Sequence, residues 1–352
     1  MTLNIKSEIR PNYLDWAKVL GVYFVVFAHY VSPLNIPFSN NLLWNNTYNV
    51  TLFHVPLFFI IAGMLYKVRP IKEEFKRSIH RLMIPYFLIS AICLIIYAII
   101  KSISFNQFVL NTIGIFSGYD FYHYAYFGEI SGSLWLIWSL CSIRIMVSLY
   151  YHCIENKRHW FAYGMLVLFF ITTIITIFKG NVLPFRIDSS SIGLLFFILG
   201  YKGKYYLEKI NTVNIRYLLL ITGIALSILV ISAYYNIDYD TLGTSLSINR
   251  CAWGRNFILF LINGISGAVL VFVFSRLLSL FKSKIIMNIS NGTTIILGFH
   301  FIFYQFFNGI IKYDNFFIAL LFSLFILFLC YMIIIFSKKY FPFLVSEIKY
   351  KR

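Results

Sequence analysis

Charge is what this sequence has least of: 12% of its 352 residues are Asp, Glu, Lys or Arg, about half the usual share of a soluble domain. Acids are scarcer still, 13 against 30 basic residues. Cysteine is sparse too. Cys93, Cys141, Cys153, Cys251 and Cys330 show no paired spacing and mostly sit in apolar runs, which argues against a disulfide framework and gives no reason to expect a metal. The first apolar run lacks a small-residue cleavage site, so no cleavable signal peptide is expected. These shortages exclude a soluble globule and a secreted disulfide scaffold.

Apolar residues fill the space. The chain is 60% hydrophobic and 20% aromatic, with a mean hydropathy of +0.77, which marks an all-α, polytopic membrane protein. Ten runs read as spans within a single transmembrane domain over 1–352: about 12–33, 51–66, 82–100, 132–151, 160–178, 189–202, 216–235, 256–275, 293–311 and 315–337. Several are shorter than the roughly 20 residues that a perpendicular helix needs.

The basic residues test that count. With a cytoplasmic N-terminus, the inner connections and both tails hold 22 basic residues and the outer connections hold six. Lys18 and Arg144 fall inside spans. Such a split across short loops orients the protein with both termini cytoplasmic, in a cell (inner or plasma) membrane. The net charge of +17 therefore reports membrane orientation and contact with membrane lipids, and nucleic acid is not an expected partner.

Within the first run, Asp15, Lys18 and His29 interrupt the apolar pattern. At about 100° per residue they share one face, and Lys18 and His29 lie roughly 16 Å apart along the axis. Ionisable groups at membrane depth line water-filled cavities or substrate paths, although any one of the three could snorkel or bond a neighbouring backbone. The connection from Lys67 to Arg81 concentrates six basic residues and His80. It suits either a polyphosphate ligand or anionic lipid. Further polar groups stand near the outer side: His54, Glu129, Trp135, Trp138, Asp188 and His300. A lone buried histidine is ordinarily a satisfied structural group, and interfacial tryptophans ordinarily form a belt.

Four stretches carry a family resemblance. They are Tyr13-Leu-Asp-Trp-Ala-Lys-Val-Leu-Gly-Val with Ala28-His29, Phe53-His-Val-Pro-Leu-Phe-Phe-Ile-Ile-Ala-Gly63, Arg81-Leu-Met-Ile-Pro-Tyr86 and Gly132-Ser-Leu-Trp135-Leu. Weaker echoes follow in Phe196-Phe-Ile-Leu-Gly-Tyr201 and in the run ending at His300. Together they resemble the acyltransferase type 3 family of integral-membrane O-acyltransferases, nearest its fucose 4-O-acetylase-like branch. The match is good over residues 10–140 and rests on span count beyond. Lys18 stands where that family often has arginine, and Arg77 and Arg81 match its paired arginines only loosely.

The resemblance implies acetyl-CoA as the acyl-CoA donor on the cytoplasmic side and a glycan hydroxyl as acceptor; no metal is expected from the residues. Acyl transfer to a hydroxyl needs a base, and His29 is the candidate. Lys18, Arg77, His80 and Arg81 would hold the donor phosphates, with Asp15 supporting Lys18. His54, Glu129, Trp135, Asp188 and His300 would support the site or face the acceptor. Two other classes share the composition. A lipid-linked-glycan flippase or polymerase would carry buried charges across several spans or a large external loop, and a secondary transporter would show internal repeats with broken helices.

Overall fold

The computed structural model describes residues 12–31, 50–118, 132–179, 183–236, 246–307 and 316–345. In chain order its helices are α1 (Asn12–Tyr30), α2 (His54–Met64), α3 (Ile71–Ser78), α4 (Ile84–Lys101), α5 (Phe105–Ser117), α6 (Trp135–Glu155) and α7 (His159–Lys179). There follow α8 (Ile187–Lys209), α9 (Ile215–Tyr235), α10 (Phe257–Leu278), α11 (Lys284–Asn291), α12 (Thr293–Phe307) and α13 (Phe316–Tyr340). Among the described residues the fold is all-α apart from one two-residue antiparallel pair, β1 (Leu246–Ser247) with β2 (Ala252–Trp253).

Among the described residues, six stretches are long and apolar enough to cross a membrane: Ile71–Lys101 and the helices α6, α7, α9, α10 and α13. The bent pair α11–α12, broken by 80°, makes a seventh if it is one span. Six of the ten predicted runs fall on these six stretches, and 293–311 falls on α12. The remaining three, 12–33, 51–66 and 189–202, fall on α1, α2 and α8, which do not meet the same measure. Their position explains why. They form the middle of the bundle, α2 against α8 and α1 against α10, α2, α12 and α13, so protein and not lipid covers Asp15, His54 and Asp188. The periphery is the reverse. On α7, Trp160, Leu168 and Phe178 stand open, as do Leu219, Leu220 and Ile231 on α9. Apolar surface of that extent belongs against lipid.

The α2–α8 contact is a backbone contact. A Cβ on Gly63 would lie 2.0 Å from the Phe197 carbonyl oxygen, and one on Gly200 would lie 2.0 Å from that of Ile60. Small residues let membrane helices approach this closely.

Two segments differ from the sequence-based expectation. The basic connection from Lys67 is largely helical: α3 runs through a π-helix at Ile79–Met83 straight into α4. The connection that follows α4 contains α5, opened by a capping box in which Ser104 and Gln107 each bond the other's backbone N–H. At 13 residues α5 is too short to span. It lies along α4 with Phe105 and Phe116 exposed.

Candidate active site

The polar stripe on α1 has two ends with different surroundings. Near its start, Asp15 is buried and accepts a hydrogen bond of 2.6 Å from the Ser290 hydroxyl, at the C-terminal end of α11. Asn12 and Trp16 donate to the carbonyls of Ser279 and Phe281, just beyond α10. Lys18 follows, half-buried, one turn further along. At the other end His29 meets two separate elements, the turn that carries Ser133 and α12. Its Nε2 is 3.0 Å from the Ser133 hydroxyl. Its ring lies 4.3 Å from that of Phe301 and 5.2 Å from that of His300, centre to centre.

Ser133 is the joint. It sits in a single 3-10 turn, Gly132–Leu134, that feeds directly into α6. Its hydroxyl also lies 3.5 Å from Nε2 of His300. Nδ1 of His300 is 2.7 Å from the Ile296 carbonyl oxygen. A carbonyl can only accept, so the proton is on Nδ1, and Nε2 of the neutral ring presents a lone pair to Ser133. His54, the first residue of α2, is held likewise through Nδ1 to the Thr51 carbonyl at 2.7 Å. It lies within electrostatic reach of both His29 and His300. Trp135, two residues beyond Ser133, packs on Phe59 of α2 at 6.5 Å between ring centres. The structure thus brings His29, His54, His300 and Trp135 into one neighbourhood. The imidazoles do not converge on a common point: among the described residues no group of three His, Cys, Asp or Glu side chains could hold a metal ion. An imidazole 3.0 Å from a hydroxyl can take its proton.

The basic cluster belongs to the Lys18 end of the bundle, because the far end of α4, at Lys101, lines a groove with the His29-side end of α12. Its centre is an acid. Glu74 is fully buried and bonds Arg144 of α6 at 2.5 and 2.6 Å and Arg69 at 3.2 Å. Arg69 also pairs with Glu73 at 3.5 Å. Ser148 donates to the Arg69 carbonyl at 2.8 Å, which fixes the chain entering α3 against α6. Arg77, half-buried one turn beyond Glu74, feels the positive charges of Arg81, Arg69 and Arg144. His80 and Arg81, on the π-helix, are exposed. This cluster packs on α6, whereas α1 packs on α10, α2, α13, α11 and α12. Lys18 and the arginines therefore approach from different walls of the same end.

Asp188 stands apart. Buried at the start of α8, its carboxylate accepts from the Thr176 hydroxyl at 3.0 Å and the Leu183 amide at 3.2 Å. It follows two residues, Phe185 and Arg186, in the left-handed region with φ of 58° and 54°. This polar cluster joins α7, α8 and α6, the last through Ser139 and Ser189 at 3.1 Å. Glu129 lies outside the described residues.

Four participants escaped the sequence reading. Ser133 stood inside the quoted Gly132-Ser-Leu-Trp135 stretch without a role, and Phe301 is the residue after His300. Arg144 was visible as a cation inside a span, the signal that could have found it. Its partner Glu74 was hidden in a stretch read as a basic loop.

No curated protein and no solved structure matches the chain. The family model described as an acyltransferase domain matches residues 12–337, a match that takes in α1 with both ends of its polar stripe, Ser133 and His300. By that match the chain belongs to the acyltransferase type 3 family.

Proposed function

We propose that this protein is a membrane O-acyltransferase that moves an acetyl group from acetyl-CoA to a hydroxyl of a cell-surface or lipid-linked polysaccharide. The observation that carries the reading is His29, whose Nε2 lies 3.0 Å from a hydroxyl oxygen in a chain of the acyltransferase family. His29 is the base that accepts the hydroxyl proton. His54 and His300 flank it with their Nε2 atoms as acceptors, and Trp135 offers an apolar wall suited to a sugar face. Lys18, Arg77 and Arg81, with His80 beside them, receive the donor's phosphates as charge-assisted hydrogen-bond donors. The roughly 16 Å between Lys18 and His29 is comparable to a pantetheine arm, so the phosphates dock at one end while the thioester reaches the other. The 22-to-6 distribution of basic residues supports a cell-membrane protein with both termini and the donor mouth on the cytoplasmic side. Asp188 and Glu129 are assigned to the acceptor side.

The test is direct. Membranes containing the protein are incubated with radiolabelled acetyl-CoA, and extractable polysaccharide is counted. Label should appear with the wild type and be absent with His29→Ala. Equal labelling by the two proteins ends this reading.

A further inference from the structure

Ser133 has a geometry that a hydroxyl buried for packing alone does not require. Its side chain is 6% exposed. Its Oγ sits between two imidazole Nε2 atoms, at 3.0 Å from His29 and 3.5 Å from His300. A serine has one proton to give and two imidazoles beside it. His300 has its proton on Nδ1, bound to the Ile296 carbonyl, so toward Ser133 it only accepts. The closer base is His29, which comes from another helix. Nucleophile and base at 2.6–3.2 Å, with a further group fixing the arrangement, is the signature of an activated hydroxyl. The turn that carries Ser133 leads into α6, whose cap residue Leu134 makes no side-chain cap bond. Negative charge developing on a carbonyl attacked there would meet the positive end of that helix.

We propose that Ser133 is a nucleophile and that transfer runs through an acetyl-serine, an inference that rests on the acetyl-CoA reading above. In the first half, His29 Nε2 takes the Ser133 proton as Oγ attacks the thioester carbonyl. The C–S bond breaks, the thiolate collects the proton from His29, and CoA leaves as the free thiol. In the second half, the acceptor hydroxyl gives its proton to His29 and attacks the ester carbonyl. The bond to Oγ breaks, and His29 returns the proton to Ser133. No oxidant, reductant or further reactant is needed. Holding the acetyl group as an ester also separates the two substrates in time: CoA departs before the acceptor must fit. That matters at a site already crowded by Phe301 and His300.

The experiment uses purified full-length protein and [14C]acetyl-CoA without acceptor, quenched in acid, with peptide mass spectrometry and thiol detection of released CoA. Label should reach up to about one acetyl group per chain, on the peptide containing Ser133. Ser133→Ala should remove it, and Ser133→Cys should carry it as a thioester released by neutral hydroxylamine. Label on His29 or elsewhere overturns the proposal, as does polysaccharide acetylation by wild-type protein that never carries label. Because the wild type alone decides this, a poorly folded variant does not blunt the test. If CoA is not released even with polysaccharide present, the acetyl-CoA reading itself fails, an outcome distinct from release without label on Ser133.

Discussion

Arg144 on α6 and Glu74 on α3 hold one another at 2.5 Å, 70 residues apart in sequence, and Glu74 has no exposed surface. This pair turns a run of basic residues into a fixed wall, because Arg69 is bound to the same carboxylate. Removing Glu74 leaves two guanidinium groups in a poorly solvated place. Glu74→Ala should lower stability by about 3–5 kcal/mol, the usual range when one partner of a buried pair is lost. Thermal unfolding in detergent measures it. Adding Arg144→Met should recover part of the loss, and a strictly additive double variant would show that the pair is not coupled.

His29→Gln tests the base separately from packing. It keeps a side chain of similar length that can still meet Ser133, yet cannot carry the proton. Turnover should fall by about 10²–10⁴-fold with unchanged expression and membrane insertion. A loss smaller than fivefold would remove His29 from proton transfer.

Lys18 stands one turn beyond Asp15, itself bound to Ser290. Lys18→Ala should raise the KM for acetyl-CoA roughly 10- to 100-fold, the range for losing a hydrogen bond to a charged group, with a smaller change in kcat. Lys18→Arg should be tolerated. Asp15→Asn combined with Lys18→Ala controls for a stranded carboxylate. Donor affinity unchanged in folded Lys18→Ala, measured by calorimetry, would falsify the placement of the phosphates.

Orientation can be read chemically. All five native cysteines are free and buried, which gives a quiet background. Cysteine at exposed Asn106 should react with a membrane-impermeant maleimide in intact cells, whereas cysteine at exposed Lys282 should react only after permeabilisation. The opposite pattern inverts the topology.

Gly200→Leu tests the α2–α8 contact. A Cβ there meets the Ile60 carbonyl oxygen at 2.0 Å, and backbone cannot yield as a side chain does. Overpacking costs about 1–3 kcal/mol even where side chains can shift, so yield of monodisperse protein should collapse. Gly203→Leu, three residues along with open space around it, is the matched control and should be neutral.

The peripheral helices were legible because lipid demands long, unbroken apolar runs, and α7, α9 and α13 obey that demand. The central helices were legible only as helices. An eleven-residue α2 and a serine-led α8 satisfy their neighbours, not lipid, and nothing in hydropathy measures that. At the site, His29 and His300 were visible because an imidazole at membrane depth stands out. Ser133 was not, since one hydroxyl among many carries no periodic signal and its meaning comes from two residues 104 and 167 positions away. Glu74 was missed for a different reason. The stretch from Lys67 to Arg81 is basic as a sum, and a sum conceals an acid that folding places at the centre of its own opposites.

The shortness of α2 has a consequence for the bilayer itself. Eleven residues rise about 16 Å, roughly half of the hydrocarbon thickness. Where such a helix stops, its terminal amides and carbonyls must meet protein or water, never lipid tails. A helix this short therefore stands only where protein surrounds it, and here α8, α10 and α1 do so.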